Sequence, residues 1–152
     1  ETGFRESYRI LGETLITVKD YTSGRHFEDA ISYAFYPVDL HTRSGVRPKP
    51  LKRGTIPTVP LRALIPKGSE NIIVAGRCVS SDRLANSGLR VQAACMGMGQ
   101  AAGATAALAA QSQAALQQKI TTSTTATTQQ QSASSSNQVA AAGQQLGQHL
   151  KE

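Results

Sequence analysis

Between Leu89 and Gln111 the chain reads LRVQAACMGMGQAAGATAALAAQ, with Arg90 as its one charge and alanine and glycine predominating. Val91, Ala94, Met98, Ala101, Thr105 and Leu108 recur at helical spacing and predict one packed face. Gly99 and Gly103, flanked by Ala102 and Ala106, each cost about 1 kcal/mol against alanine inside a helix. Such a run calls for close approach by a strand, another helix or a ligand, and packing on a sheet would satisfy it as well as a ligand would. Ser87 is placed to cap this helix, which would leave N–H groups near Leu89, Arg90 and Val91 facing the preceding loop with partial positive charge. Upstream, Ile72-Ile73-Val74-Ala75 is too short for a helix and reads as a buried strand. Gly76 and Arg77 stand at its carboxyl end, where open α/β sheets receive ligands. Strand, glycine turn and small-sided helix predict an α/β or α+β fold.

The remaining sequence divides around that segment. Residues 1–70 read as short extended pieces and a basic loop, 71–118 as the strand and helix, and 119–152 as a low-complexity tail. Tyr8–Val18 is strand-forming, with Gly12 marking a bulge or a close approach. Asp20 is expected to cap a short turn that Gly24 stops. In YAFYPVDLH, alternation puts Ala34, Tyr36, Val38 and Leu40 on one side and Phe35, Asp39 and His41 on the other, and Pro37 makes an edge or interrupted strand. Pro57, Pro60 and Pro66 argue against a helix and for extended chain, and Lys67-Gly68 reads as a tight turn. The Thr-, Ser- and Gln-rich residues 119–152 have too little apolar surface to offset chain entropy and are expected to be disordered, with a nascent helix near Val139–Leu150.

Charge and cysteine usage narrow the function classes. The chain has 152 residues and net charge +6, and from Leu40 to Ser69 it has no acid but carries Arg43, Arg47, Lys49, Lys52 and Arg53. Such a run is ordinarily a solvated loop; it also suits an anion, whereas the lack of aromatics in the window speaks against nucleic acid. Cys78 and Cys95 are too far apart for a CxxC pair, and no metal site is expected. Both are expected to be reduced and partly buried. No window has the roughly 18 uninterrupted apolar residues of a membrane span. Glu1 at the start suggests a fragment or a processed piece.

NIIVAGRCVSS followed by LRVQAACMGMGQAAGATAALA resembles the C-terminal flavin-binding segment of the FAD-dependent oxidoreductases related to glutathione reductase. RESYRILGE, LITVKD, GRHFEDAIS, YPVDLH and IPTVPLRALIPKGSEN agree with it in order, so the likeness covers residues 2–112. The resemblance implies a partial FAD/NAD(P)-binding fold, FAD as cofactor and a small-molecule substrate. It implies that Ala75, Gly76, Arg77 and Cys78 lie along the ribityl or flavin side. It also implies that Arg90, Val91 and Gln92 offer backbone groups to the pyrimidine end of the ring. The sequence departs from the family pattern at Arg83 and Leu84, where a His-Glu pair is usual, and at Gly88, where Ser is common. No GxGxxG follows a strand, so the half that would bind ADP is not in these residues.

His41, with Asp39 on YPVDLH, is the one catalytic candidate, against the ordinary role of a surface or internally satisfied histidine. Arg77 faces two readings: an anionic partner on the flavin, or a salt bridge to an acid such as Asp82. The leading expectation is therefore the C-terminal part of an FAD-dependent oxidoreductase, with the isolated chain inactive. The alternatives are a non-catalytic binding module that uses Arg43–Arg53 for an anionic partner, and an inactive truncated remnant.

Overall fold

The computed structural model describes residues 8–42, 45–46 and 48–149. Arg43 and Arg47 of the basic loop, residues 2–7 of the family likeness and residues 150–152 lie outside the described residues. The chain clusters into two units, Glu1–Ala107 and Leu108–Glu152.

The first unit is mixed α/β. Helix α1 (Val18–Ser23) begins with a capping box: Asp20 N–H donates to Thr17 Oγ1 at 3.2 Å, and Thr17 N–H donates to Asp20 Oδ2 at 3.0 Å. Thr17 is thus the cap, and Asp20 is its reciprocal partner. Gly24 ends the helix at φ 71°, as its position in the sequence predicts. Strand β1 (Ala30–Tyr33) pairs antiparallel with β4 (Thr58–Pro60), with a bulge between Ala30 and Ser32. Between them β2 (His41–Thr42) and β3 (Gly45–Val46) form a second antiparallel pair, and Val38 bridges Lys49. A 3₁₀ turn at Leu61–Ala63 follows β4, so the proline-rich segment is extended with one tight turn inserted. Lys67-Gly68 forms the expected turn, closed by Ser69 N–H on Pro66 O at 3.2 Å.

Several expectations are corrected. Tyr8–Val18 forms no strand among the described residues, only the single bridges Gly12–Pro66 and Ile16–Ser81, and α1 already begins at Val18. Ile72–Ala75 belongs to no strand among the described residues; Val74 N–H meets Leu64 O at 2.9 Å, and Ile72 is 55% exposed. A β-branched run needs a neighbouring ladder to become a strand, and no ladder forms beside it in the described residues. The helix expected from Leu89 begins only at Gln92, as α3 (Gln92–His149), and the segment before it, read as a loop, forms a separate helix α2 (Arg83–Leu89), the two broken at Arg90-Val91. Asp82, not Ser87, caps α2, its Oδ1 accepting from Ala85 N–H at 2.8 Å. Ser87 lies inside α2 and donates its hydroxyl to Leu84 O at 2.6 Å.

The core gathers Ile16, Tyr21, Val59, Leu64, Leu89 and Met98, all fully buried. Burial of each such side chain contributes about 1.5–3 kcal/mol. Ala94, Met98, Ala101 and Thr105 form the inward face of α3 as predicted, with Val91 half-buried just before it, but Leu108 is 64% exposed. The close approaches also differ from expectation. Nothing among the described residues lies within 4 Å of a β-carbon built on Gly99 or Gly103, whereas Gly97 meets Ser32 Cβ at 3.3 Å. Gly12 fits its prediction: a β-carbon there would stand 2.8 Å from Ser80 Cβ.

In the second unit the backbone from Leu108 to His149 is helical. Residues 108–119 are exposed throughout.

Candidate functional site

The turn after Ala75 needs its glycine: Gly76 adopts φ 97°, a region that side chains disfavour. Val79 N–H closes the turn on Gly76 O at 3.1 Å. Asn86, buried in α2, donates its amide to Arg77 O at 3.1 Å and to Ser81 Oγ at 3.2 Å. Ile10 N–H donates to Cys78 O at 2.9 Å. The turn is thereby fixed from both sides, and Arg77 projects from it with an exposed side chain. Asp82, the acid suggested for Arg77, is used elsewhere: its Oδ2 accepts from Val18 N–H at 2.5 Å.

The α2–α3 junction supplies the opposing wall. Arg90 is only 7% exposed, and its guanidinium donates to Asp39 O at 2.9 Å. Arg90 N–H is already bonded to Asn86 O at 2.9 Å, so the polar end of the long helix lies further on than expected. Cys95 N–H reaches Val91 O at 3.0 Å, which leaves Gln92, Ala93 and Ala94 as the N–H groups without a carbonyl inside α3. These carry the partial positive charge of the helix start.

A cleft of about 510 Å³ joins the two walls, lined by Arg77, Arg90, Val91 and Gln92 together with Asp39 and His41. Four of the seven cofactor-binding candidates, and the one catalytic candidate, thus share a single cleft. Ala75, Gly76 and Cys78 do not line it; they form the turn that presents Arg77. Tyr36 and Ser87 complete the lining and were not among the site residues that the sequence suggests. Asp39 was noted there only as a neighbour of His41, yet it is anchored at both its N–H and its carbonyl. Its N–H donates to Ser87 Oγ at 3.0 Å, and its Oδ2 lies 3.3 Å from His41 Nε2. The Asp-x-His spacing of residues 39–41 was the available signal.

Both cysteines are free and half-buried, as expected. Burial pushes the Cys95 thiol up, Arg77 pulls it down and Cys78 pushes it up again, with a net rise. Cys95 is therefore a protonated thiol at neutral pH and a poor nucleophile. Among the described residues no helix is long and apolar enough to cross a membrane.

A family model described as FAD dependent oxidoreductase matches residues 1–131. The chain belongs to the FAD dependent oxidoreductase family. No curated protein and no solved structure matched the chain. Membership of the FAD dependent oxidoreductases implies FAD as cofactor and redox chemistry on a substrate, and the mixed α/β architecture is consistent with part of an FAD-binding fold. The residues present suit a flavin: an N-terminal helix end and two arginines converge on one cleft of small-molecule size.

Proposed function

We propose that this chain is the C-terminal part of a glutathione-reductase-like FAD-dependent oxidoreductase, and that the Arg77–Gln92 cleft receives the flavin ring and its ribityl side. The observation that carries this reading is the convergence of Arg77, Arg90, Val91 and Gln92 on one cleft from two separate segments. FAD, when bound, supplies the two-electron acceptor for substrate oxidation. The chain's own residues orient it. The Gln92–Ala94 N–H groups offer partial positive charge to an electron-rich carbonyl edge. Arg77, held by the Asn86 contact to its carbonyl, flanks the ribityl side, with Ala75, Gly76 and Cys78 shaping the turn. His41, backed by Asp39, stands where a small-molecule substrate would exchange a proton.

The pyrophosphate- and adenosine-binding half supplies much of the anchoring in dinucleotide sites, and no GxGxxG occurs here. The isolated chain is therefore expected to bind FAD weakly and to be inactive alone, while the longer protein that contains it is yellow. Tight, saturable FAD binding by the chain alone would contradict the half-site reading. A colourless, folded longer protein would contradict the flavin reading itself.

A second reading has one observation in its favour. Lys19, Lys49 and Lys52 rim a separate cleft of about 340 Å³, which suits an anionic partner for the Arg43–Arg53 loop. Against it, the neighbouring Thr22 and Ser23 hydroxyls donate to Val18 O and Asp20 O. Salt-sensitive retention on heparin would favour this reading, and free passage would count against it.

A further inference from the structure

Beside the charged cleft lies a second one of opposite character. Strand β1 and helix α3 come together at Ser32 and Gly97, where a β-carbon built on the glycine would stand 3.3 Å from Ser32 Cβ. One turn earlier along α3 the two segments part around a cleft of about 310 Å³. Tyr33, Phe35 and Tyr36 line one side of it, and Val91, Ala93 and Ala94 the other. No charged side chain lines it, whereas its neighbour carries Arg77, Arg90, Asp39 and His41. Tyr36, Val91 and Gln92 belong to both clefts, so the two adjoin.

The aromatic side is built on fixed backbone. Ala34 is buried and its N–H donates to Pro57 O at 2.8 Å, while Tyr36 O accepts from the Tyr21 hydroxyl at 2.8 Å. Extended chain anchored in this way turns the alternate residues Tyr33 and Phe35 outward, where they are 64% and 70% exposed. Aromatic rings grouped in water around a concave site mark a place that receives another molecule. The space suits one ring-sized molecule, and a ring offers the offset or edge-to-face contacts that these side chains favour.

We propose that this cleft is a substrate subsite for the uncharged ring of a small aromatic molecule, whose polar end points past Tyr36 toward the charged cleft. Calling the occupant a substrate rests on the proposed function, which places flavin in the charged cleft; the ring subsite stands on its own lining. The inference narrows the substrate to a molecule with an aromatic body, such as an aryl alcohol.

The isotopically labelled chain is titrated with benzyl alcohol, lactate and FMN and followed by NMR. The amides of Phe35, Ala93 and Ala94 report the apolar cleft, and those of Arg77 and Arg90 the charged one. Benzyl alcohol should shift the first set saturably, and lactate should not. Phe35→Ala should weaken benzyl alcohol by roughly fivefold or more, the worth of one aromatic contact. Ala93→Leu, which fills the cleft from an exposed helical position, should abolish its binding, with otherwise unchanged spectra showing that both variants stay folded. The inference is overturned by the absence of saturable shifts, by shifts spread over other exposed apolar residues such as Tyr8 and Ile72, or by binding that survives both substitutions. FMN shifts at Phe35 and Ala93 that benzyl alcohol cannot displace give the cleft to the flavin ring, which overturns the inference and leaves the flavin reading standing. Benzyl alcohol binding with FMN silent at Arg77 and Arg90 supports the ring subsite and removes the flavin reading. Equilibrium dialysis of the longer protein completes the test: failure to bind benzyl alcohol there, when the chain alone binds it, shows that polypeptide covers the cleft and overturns the inference.

Discussion

A β-carbon placed on Gly88 would stand 2.5 Å from the Tyr21 hydroxyl oxygen and 2.6 Å from Tyr21 Cζ. Helix α2 therefore rests directly on a fully buried ring, and that ring's hydroxyl donates to Tyr36 O at 2.8 Å. The contact explains why glycine suits this position. Gly88→Ala and Gly88→Ser should each lower stability by about 1–3 kcal/mol, the range for overpacking a filled core. Urea unfolding measures it, and a variant as stable as the wild type would show that the ring gives way freely.

Burial pushes the Tyr21 phenol up to about 12, against the smaller downward pull of its bond to Tyr36 O. The raised value means that its contribution is complete below the unfolded value of about 10 and is lost as pH rises through the folded one. In an ultraviolet titration at about 295 nm, Tyr21 should ionise only together with the loss of folded structure. A Tyr21→Phe variant whose titration and alkaline unfolding match the wild type would contradict this.

Acid should weaken the fold through Asp20 and Asp29. Burial raises each carboxyl, but Thr17 and Arg25 outweigh it at Asp20, and Arg62 does so at Asp29, so both lie below the ordinary range. A depressed carboxyl contributes stability above its unfolded value, near 3.9, and loses it as pH falls through the folded one. Thermal melts should therefore drop below about pH 4, and less steeply in Asp20→Asn and Asp29→Asn. An unchanged slope in both variants would place the acid sensitivity elsewhere.

Asp82 joins the starts of two helices, accepting from Val18 N–H with one oxygen and Ala85 N–H with the other. Asp82→Ala should cost about 2 kcal/mol or more, combining a lost cap with an unmet N–H at α1. Asp82→Asn, which keeps one acceptor, should cost less. Guanidinium unfolding of the pair distinguishes this from a simple surface charge, for which the two variants would behave alike.

The helix beyond Leu108 has no buried residue through Lys119, and Thr121 Oγ1 turns back to Gln117 O at 2.9 Å. Back-bonded threonines and runs of Thr and Ser hold a helix weakly without packing. We therefore expect residues 119–149 to be disordered in solution. Their amides should exchange within seconds in hydrogen-exchange mass spectrometry, and removing them should leave the melting temperature of the remainder unchanged. Slow exchange there would show that something covers this helix.

Local chemistry was legible in the sequence where a residue acts on its immediate neighbours. Gly24 as a stop, Lys67-Gly68 as a turn, Gly12 as a close approach and the inner face of α3 all follow from such rules. Partnership was not legible. Ile72–Ala75 has the composition of a strand but finds no ladder among the described residues. The α2–α3 break carries no proline or glycine at Arg90-Val91 to announce it; there, the Arg90 side chain turns to the carbonyl of Asp39, far away in sequence. Ser87 looks like a cap until its hydroxyl is seen donating to Leu84 O, with Asp82 already capping the helix. The cleft was half legible for the same reason: Arg77 and Arg90–Gln92 stood out as motifs, while Tyr36, Asp39 and Ser87 became site residues only when the chain folded.

The fastening at residue 39 uses its peptide N–H and carbonyl, and neither depends on which amino acid stands there, proline excepted. Position 39 therefore holds the wall of the cleft through its main chain, and a residue no larger than aspartate can stand there without loosening either bond.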